Sequence, residues 1–273
     1  MNIYLVNRNV DTQRRDRFIK ENIEKFSLEY IWQPAVDAYC EHFNPKEHEK
    51  LFPKRGKFSE FIPLGSFGNF LSQMRIWRKI DESGLPGLVC EDDVIFDENI
   101  VRANEFVSKC MNADIIFGND RCCPPASFVP SLGDGSINEA VTVFPLSLSI
   151  NLNLLTTKRW GAPGADCYYL SPTGARKLIS LVEEIGTFMH IDWMMVKYSV
   201  AGLNSDCFYA SGMYQPFLTI VNAELFSAIR LNAATLRQPV AHHRPGDVGG
   251  SVIKNVAVVK KYIDVPRCLV VEK

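Results

Sequence analysis

The stretch Leu88–Phe96, LVCEDDVIF, sets three adjacent acids, Glu91, Asp92 and Asp93, between two apolar triplets. In extended backbone, side chains two residues apart share a face, so Glu91 and Asp93 project together and Asp92 points away. Buried unpaired, such carboxylates would each cost several kcal/mol, so they must be solvated, paired with bases or bound to a cation. Mg²⁺ or Mn²⁺ suits them, because either ion takes one or two protein carboxylates and completes its shell with water and phosphate oxygens. A substrate bearing a diphosphate is the natural partner. The bland alternative is a solvated turn in which Asp93 or Asp97 caps the next element. Val94, Ile95 and Phe96 argue against it, since they resume the strand-like run.

Other residues with chemical potential lie further off in the chain. Asn7, Arg8, Arg14 and Arg15 follow the first apolar run and could contact a nucleotide, or form a solvated basic first turn. Asp166 comes after Gly161, Pro163 and Gly164, in a stretch whose backbone could approach a ligand closely. Asp192 opens a helical pattern beside Trp193; an acid there is also favoured by the macrodipole alone. His242 and His243 adjoin the Gly-rich stretch AHHRPGDVGGS, and His243 could be a third metal ligand, a phosphate clamp or an ordinary surface histidine. Trp160, Tyr168 and Tyr169 are either a sugar platform or core, and alternation sends the two tyrosines to opposite faces.

The elements that must position these groups alternate in type. IYLV (3–6) reads as a strand, and RRDRFIKENIEKF as a helix with Phe18, Ile19, Ile23 and Phe26 on one face, capped by Asp11 or Thr12. EYIWQPAVDA is extended, and residues 41–63 are irregular. GNFLSQMRIWRKIDESG places Phe70, Leu71, Met74, Trp77 and Ile80 on one helical stripe, stopped by Gly84 and Pro86. NADIIFGND is a buried strand with a polar end. LSLSINLNL (146–154) alternates strictly and predicts a half-exposed strand. SPTGARKLISLVEEIG predicts a helix with Ser171 as N-cap, Pro172 in its first turn and Gly186 beyond its end. Strands alternating with helices predict an α/β fold with a mainly parallel central sheet flanked by helices. In such sheets ligands sit beyond the carboxyl ends of strands, where the acidic triplet falls.

Composition narrows the classes. Thirty Lys and Arg against 31 Asp and Glu leave a net charge of −1, so no overall basic field attracts nucleic acid or an anionic membrane. No apolar run approaches the roughly 20 residues of a membrane helix, and the N-terminus lacks the pattern of a signal peptide. Eight cysteines without C-x-x-C spacing read as reduced thiols. The expectation is a soluble cytoplasmic protein with, at most, peripheral association at the inner face of the membrane.

The blocks TQRRDRF, WQPAVDA, GSFGNFLSQMRIWRKI followed by GLPGLVCEDDVIF, and GADCYYLSPTGARKLI followed by HIDWMM resemble, in order and spacing, glycosyltransferase family 25, which includes bacterial lipooligosaccharide-biosynthesis enzymes. The resemblance spans roughly residues 1–220. It implies a GT-A-like nucleotide-sugar-binding fold over a single domain, 1–273, with a nucleotide-binding half (1–120) and an acceptor-side half (121–273). It also implies metal-dependent transfer of a hexose, galactose favoured, from a UDP-sugar with inversion, to a lipooligosaccharide or related glycan.

Carried onto this chain, the resemblance makes Glu91 and Asp93 metal ligands for Mn²⁺ or Mg²⁺, and Asp92 a contact to the ribose or donor sugar. It makes Asp192 the catalytic base, with Asp166 the rival. The chain departs from the family at Ala38, at Asn69-Phe70 and at Gln73, where many members carry Gly, Cys-Ala and His. A role needing imidazole at 73 is therefore lost or never essential. Two other readings stay open on the residues alone: a metal-dependent phosphohydrolase, and a glycan-binding protein that kept the fold without turnover.

Overall fold

A computed structural model describes residues 1–52, 64–121, 123–124, 143–157, 164–187, 190–199 and 227–244. Trp160, Gly161, Pro163, most of the Gly-rich stretch and the Trp193 side chain lie outside the described residues. Strand β1 (Asn2–Asn7) leads to α1 (Thr12–Phe18), which runs on as a π-helical turn over Ile19–Glu24. Strand β2 (Ile31–Pro34) is followed by a 3₁₀ segment, Pro45–Leu51, and by the long α2 (Leu64–Ser83). Then come β3 (Gly87–Glu91), β4 (Val94–Phe96), α3 (Ile100–Cys110) and β5 (Ile115–Phe117). The second half contributes β6 (Val143–Pro145), α4 (Leu146–Thr157), β7 (Cys167–Leu170), α5 (Pro172–Ile185), α6 (Ile191–Ser199), β8 (Ala233–Leu236) and β9 (Ala241–His243).

Seven strands form one sheet in the order β2-β1-β3-β7-β5-β8-β6. Strands β2, β1, β3, β5 and β8 share one direction, while β7 and β6 run against it, so the sheet is mixed but mainly parallel in sense. Both faces are covered, which is why its strands read as continuous apolar runs. Tyr4, Val6, Val89, Ile115, Phe117, Tyr168 and Leu170 pack on the side of α2, α5 and α6. Their neighbours Ile3, Leu5, Leu88, Cys90, Ile116, Cys167 and Tyr169 pack on the side of α1 and α3. Both tyrosines are therefore core, one per face, and neither is a sugar platform.

Two expectations fail in instructive ways. Residues 146–154 are helical, within α4, rather than a strand. Leu146, Ser149 and Ile150 are buried while Leu148 is exposed, a helical stripe of spacing three and four that the alternation in the sequence concealed. Leucine favours helix, and α4 packs across β8 and β6, so the tertiary surface decides the period.

The acidic triplet is also not one extended run. The chain turns at Asp92 and Asp93, and β4 leaves the main sheet to pair with β9 in a two-stranded ribbon. The side chain of Asn22, brought inward by the π-helical turn, holds that departure: its amide donates to the Val94 carbonyl (3.1 Å) and its oxygen accepts from the Phe96 N–H (2.6 Å).

The remaining local signals hold. Ser171 accepts from the Gly174 N–H at 3.0 Å, Pro172 fills the first turn of α5, and Gly186 closes it at φ +77°, a left-handed conformation that favours glycine. Asp11 precedes α1 without a side-chain cap bond, because its carboxylate is taken by Arg8. Among the described residues Cys40, Cys90, Cys123 and Cys167 are free thiols, with Cys90 and Cys167 facing each other across β3 and β7 at 3.8 Å.

Replacing Asn22 with Leu would strand a buried N–H and a buried carbonyl, at about 1–3 kcal/mol for each lost partner. Urea unfolding of Asn22→Leu should give a stability loss of about 2 kcal/mol or more. A midpoint equal to that of the wild type would show that β4 does not depend on this side chain.

Candidate active site

The parallel strands deliver their carboxyl ends to one edge of the sheet, and β7, running the other way, delivers its amino end there. Asn7 ends β1, Glu91 ends β3, Asn119 follows β5 and Asp166 precedes β7. The Glu91 N–H donates to the Asp166 carbonyl at 2.8 Å, so two acids distant in sequence are backbone neighbours. Strand β9 brings His243 to the same edge, with its Nδ1 3.9 Å from Asp93 Oδ2 and 3.9 Å from Asp166 Oδ2. Helix α6 contributes Asp192, in its first turn, to the same cleft. Between them lies an open cleft, lined by Glu91, Asp93, Arg121, Asp166, Asp192 and His243 among others.

Each acid has its own partner. Asn69, on α2, donates to Glu91 Oε1 at 3.1 Å. Asp92, in the turn that follows β3, points away from the cleft: it is 7% exposed, accepts from the Asn7 amide at 2.6 Å, and pairs with the Arg14 guanidinium. Arg14 also reaches Asp93 Oδ2 at 3.6 Å. Asp166 accepts from the Asn119 amide at 3.0 Å and from the Arg121 guanidinium, so both its oxygens are engaged. Asp93 Oδ1 is buried without a hydrogen-bond partner.

The crowding shows in the proton affinities. Burial, then the charges of Asp93 and Asp166, push the Glu91 carboxyl well above the usual carboxylate range, opposed by the Asn69 amide. Burial likewise raises Asp166 against the pull of Arg121, and raises Asp92 against Asn7 and Arg14.

The structure thus brings together Glu91, Asp93, Asp166, Asp192 and His243 and sets the nucleotide candidates apart. Asn7 and Arg14 support Asp92 from behind the cleft wall, Arg8 pairs with Asp11 and Asp37, and Arg15 stacks over the Trp32 ring at 4.1 Å. Arg8 and Arg15 are committed to these partners. His242 faces Asp97 and Asp120 instead of the cleft.

The sequence reading missed Ser66, Asn69, Arg121 and His190, which also line the cleft. Ser66 Oγ lies 2.8 Å from His190 Nδ1. A signal existed for two of them: Ser66, Asn69 and Gln73 recur at three- and four-residue spacing on α2, a polar stripe beside the apolar one. For Arg121 there was none beyond its place after a strand.

Gln73 itself has a structural duty. It is fully buried, accepts from the Tyr168 hydroxyl at 2.7 Å and donates to the Ala165 carbonyl at 3.5 Å, while Trp77 donates to the same hydroxyl at 2.8 Å. The chain Trp77–Tyr168–Gln73–Ala165 holds the backbone just before Asp166.

Among the described residues no three His, Cys, Asp or Glu side chains already stand as a ready-made metal cluster. The donor set nonetheless fits a divalent cation in kind: hard oxygens whose mutual repulsion a cation would relieve, one of them an orphaned buried carboxylate oxygen, with an imidazole beside them.

Residues 1–195 match the model of glycosyltransferase family 25, the LPS biosynthesis proteins, and the chain belongs to that family. It is a glycosyltransferase, with a sugar donor and a glycan acceptor as its partners. No curated protein matches it. Among solved structures it is similar to the apo crystal structure of mouse xyloside xylosyltransferase 1, at 10% identity over 90% of this chain and 84% of that one, with a TM-score of 0.34. That likeness is too slight to bear on the chemistry. No helix among the described residues is long and apolar enough to cross a membrane.

The raised carboxyls give a pH dependence of known sign. Glu91, Asp92 and Asp166 hold their protons to higher pH folded than unfolded, so the folded state binds more protons between the ordinary carboxylate range and the raised values. Their contribution to stability is full below that interval and is lost as pH rises through it. With divalent cations removed by EDTA, Glu91→Gln should gain thermal stability relative to wild type as pH climbs from about 4.5 towards neutrality. A difference in melting temperature that stays flat with pH would contradict this.

Proposed function

We propose that the protein transfers a hexose, with galactose favoured, from a UDP-sugar to a lipooligosaccharide or related glycan, with inversion at the anomeric carbon. Asp93, Glu91 and His243 would hold Mn²⁺ or Mg²⁺ at the sheet edge. When bound, the cation would supply Lewis-acid neutralisation of the departing diphosphate. The observation that carries the reading is the convergence of Glu91, Asp93, Asp166, Asp192 and His243 on one cleft at the strand ends, in a chain of glycosyltransferase family 25.

The protein's own groups divide the remaining work. Inversion requires the acceptor oxygen to approach the anomeric carbon opposite the leaving diphosphate, while its proton passes to a base. Asp192 is the candidate for that role: it lines the same cleft as the other acids, from the first turn of α6. Asp166 is the rival base, with its oxygens accepting hydrogen bonds from Asn119 and Arg121.

The reading is tested by UDP release from individual UDP-sugars with and without Mn²⁺. Hydrolysis or transfer that needs Mn²⁺, greatest with UDP-galactose, is expected; turnover indifferent to EDTA would remove the cation. Asp93→Ala should abolish Mn²⁺-dependent donor binding by calorimetry while leaving the circular dichroism spectrum unchanged. Asp192→Asn should keep donor affinity and lower kcat by about 10²–10⁴. Normal turnover in Asp192→Asn would move the base elsewhere.

A further inference from the structure

Arg121 stands where four acids of the cleft would otherwise face one another without a lysine or arginine among the described lining residues. Its guanidinium pairs with Asp166, whose side chain is only 6% exposed, and so sits on the carboxylate that shares His243 with Asp93. The arginine side chain is itself 34% exposed, and its Nε is buried without a partner. It is held by its tip. Gly164 leaves it room: a methyl group there would overlap the guanidinium and stand 2.8 Å from Asp166 Oδ1.

We propose that Arg121 is an exchangeable counter-ion of the site: it occupies the place of the divalent cation beside Asp166 and moves to the donor diphosphate when the cation arrives. The inference rests on the functional reading above. A cation held by Glu91, Asp93 and His243 would compete for Asp166 Oδ2, the oxygen that the guanidinium holds and His243 approaches, and a hard divalent ion has the stronger claim on clustered carboxylate oxygens. A partly exposed ion pair held by a long flexible side chain contributes little, so its release is cheap. The guanidinium fork, once freed, matches phosphate oxygens in a way that an ammonium group does not.

The consequence is a coupling between ligands. Arg121 opposes the cation when it comes alone and favours it when it comes with a diphosphate, so each ligand raises the affinity for the other. The cleft would then fill with both or with neither. That is useful where a loaded cation without its nucleotide would do nothing.

The experiment measures Mn²⁺ alone by calorimetry, and then UDP at saturating Mn²⁺, on wild type, Arg121→Gln and Arg121→Lys. Arg121→Gln should bind Mn²⁺ alone at least about threefold more tightly, since its competitor is gone. It should bind UDP with Mn²⁺ about tenfold or more weakly, since a charged hydrogen-bond donor is lost. Arg121→Lys keeps the charge without the fork, and should leave Mn²⁺ affinity near wild type while still weakening UDP. It also carries the test if the glutamine variant fails to fold, as judged by circular dichroism. Unchanged or weaker Mn²⁺ binding in Arg121→Gln, or unchanged UDP affinity in both variants, overturns the proposal. If wild type itself shows no Mn²⁺-dependent UDP binding, the functional reading fails first, and that result is distinct from either.

Discussion

The site depends on one backbone contact, the insertion of β7 between β3 and β5 against their direction. Cys90 stands opposite Cys167, and the next pair along places the Glu91 N–H on the Asp166 carbonyl. An antiparallel strand enters the sheet from the edge at which its parallel neighbours leave it, so Asp166 at its start meets Glu91 at an end. The two-residue period makes this register strict: a slip of one position would turn Tyr168 and Tyr169 to the wrong cores and carry Asp166 away with them. The chain Trp77–Tyr168–Gln73–Ala165 ties that register to α2. The geometry of the cleft and core packing are here the same constraint.

What the fold gathers, it must also compensate. Three carboxyls in this wall have their proton affinity raised by burial, which is unfavourable to the folded state at neutral pH. The compensation is local and specific: Asn69 on Glu91, Asn7 and Arg14 on Asp92, Asn119 and Arg121 on Asp166. Amides serve well here, because they donate without adding a fixed charge that would resist a cationic ligand. Arg121 is the exception within the cleft, and its partial exposure sets it apart from the buried Asn7 and Asn119. Asp93, with an oxygen left unmatched, is the acid with most to gain from a ligand.

The family assignment and the cleft explain each other without the remote structural likeness. Family membership identifies glycosyl transfer as the reaction class, and the sheet-edge acids line the cleft. The departures from the family have physical accounts. Asn69 in place of a cysteine becomes the partner of Glu91, and Gln73 in place of a histidine becomes a buried link between Tyr168 and Ala165.

By itself the sequence determined what depends on neighbours in the chain. The strand ending in Glu91, the capped α5 with Ser171 and Gly186 and the apolar stripe of α2 were all legible, because caps and periodicities act over a few residues. Only the tertiary structure decided the rest. LSLSINLNL became helix because β8 and β6 offered it a surface, and β4 left the sheet because Asn22, some seventy residues earlier, bound its backbone. Arg121, His190 and Ser66 joined the cleft through contacts spanning from 45 to 124 residues, and Arg14 was drawn to Asp92 behind the wall. Such pairings depend on how sheet and helices close in space, and no local spacing encodes them.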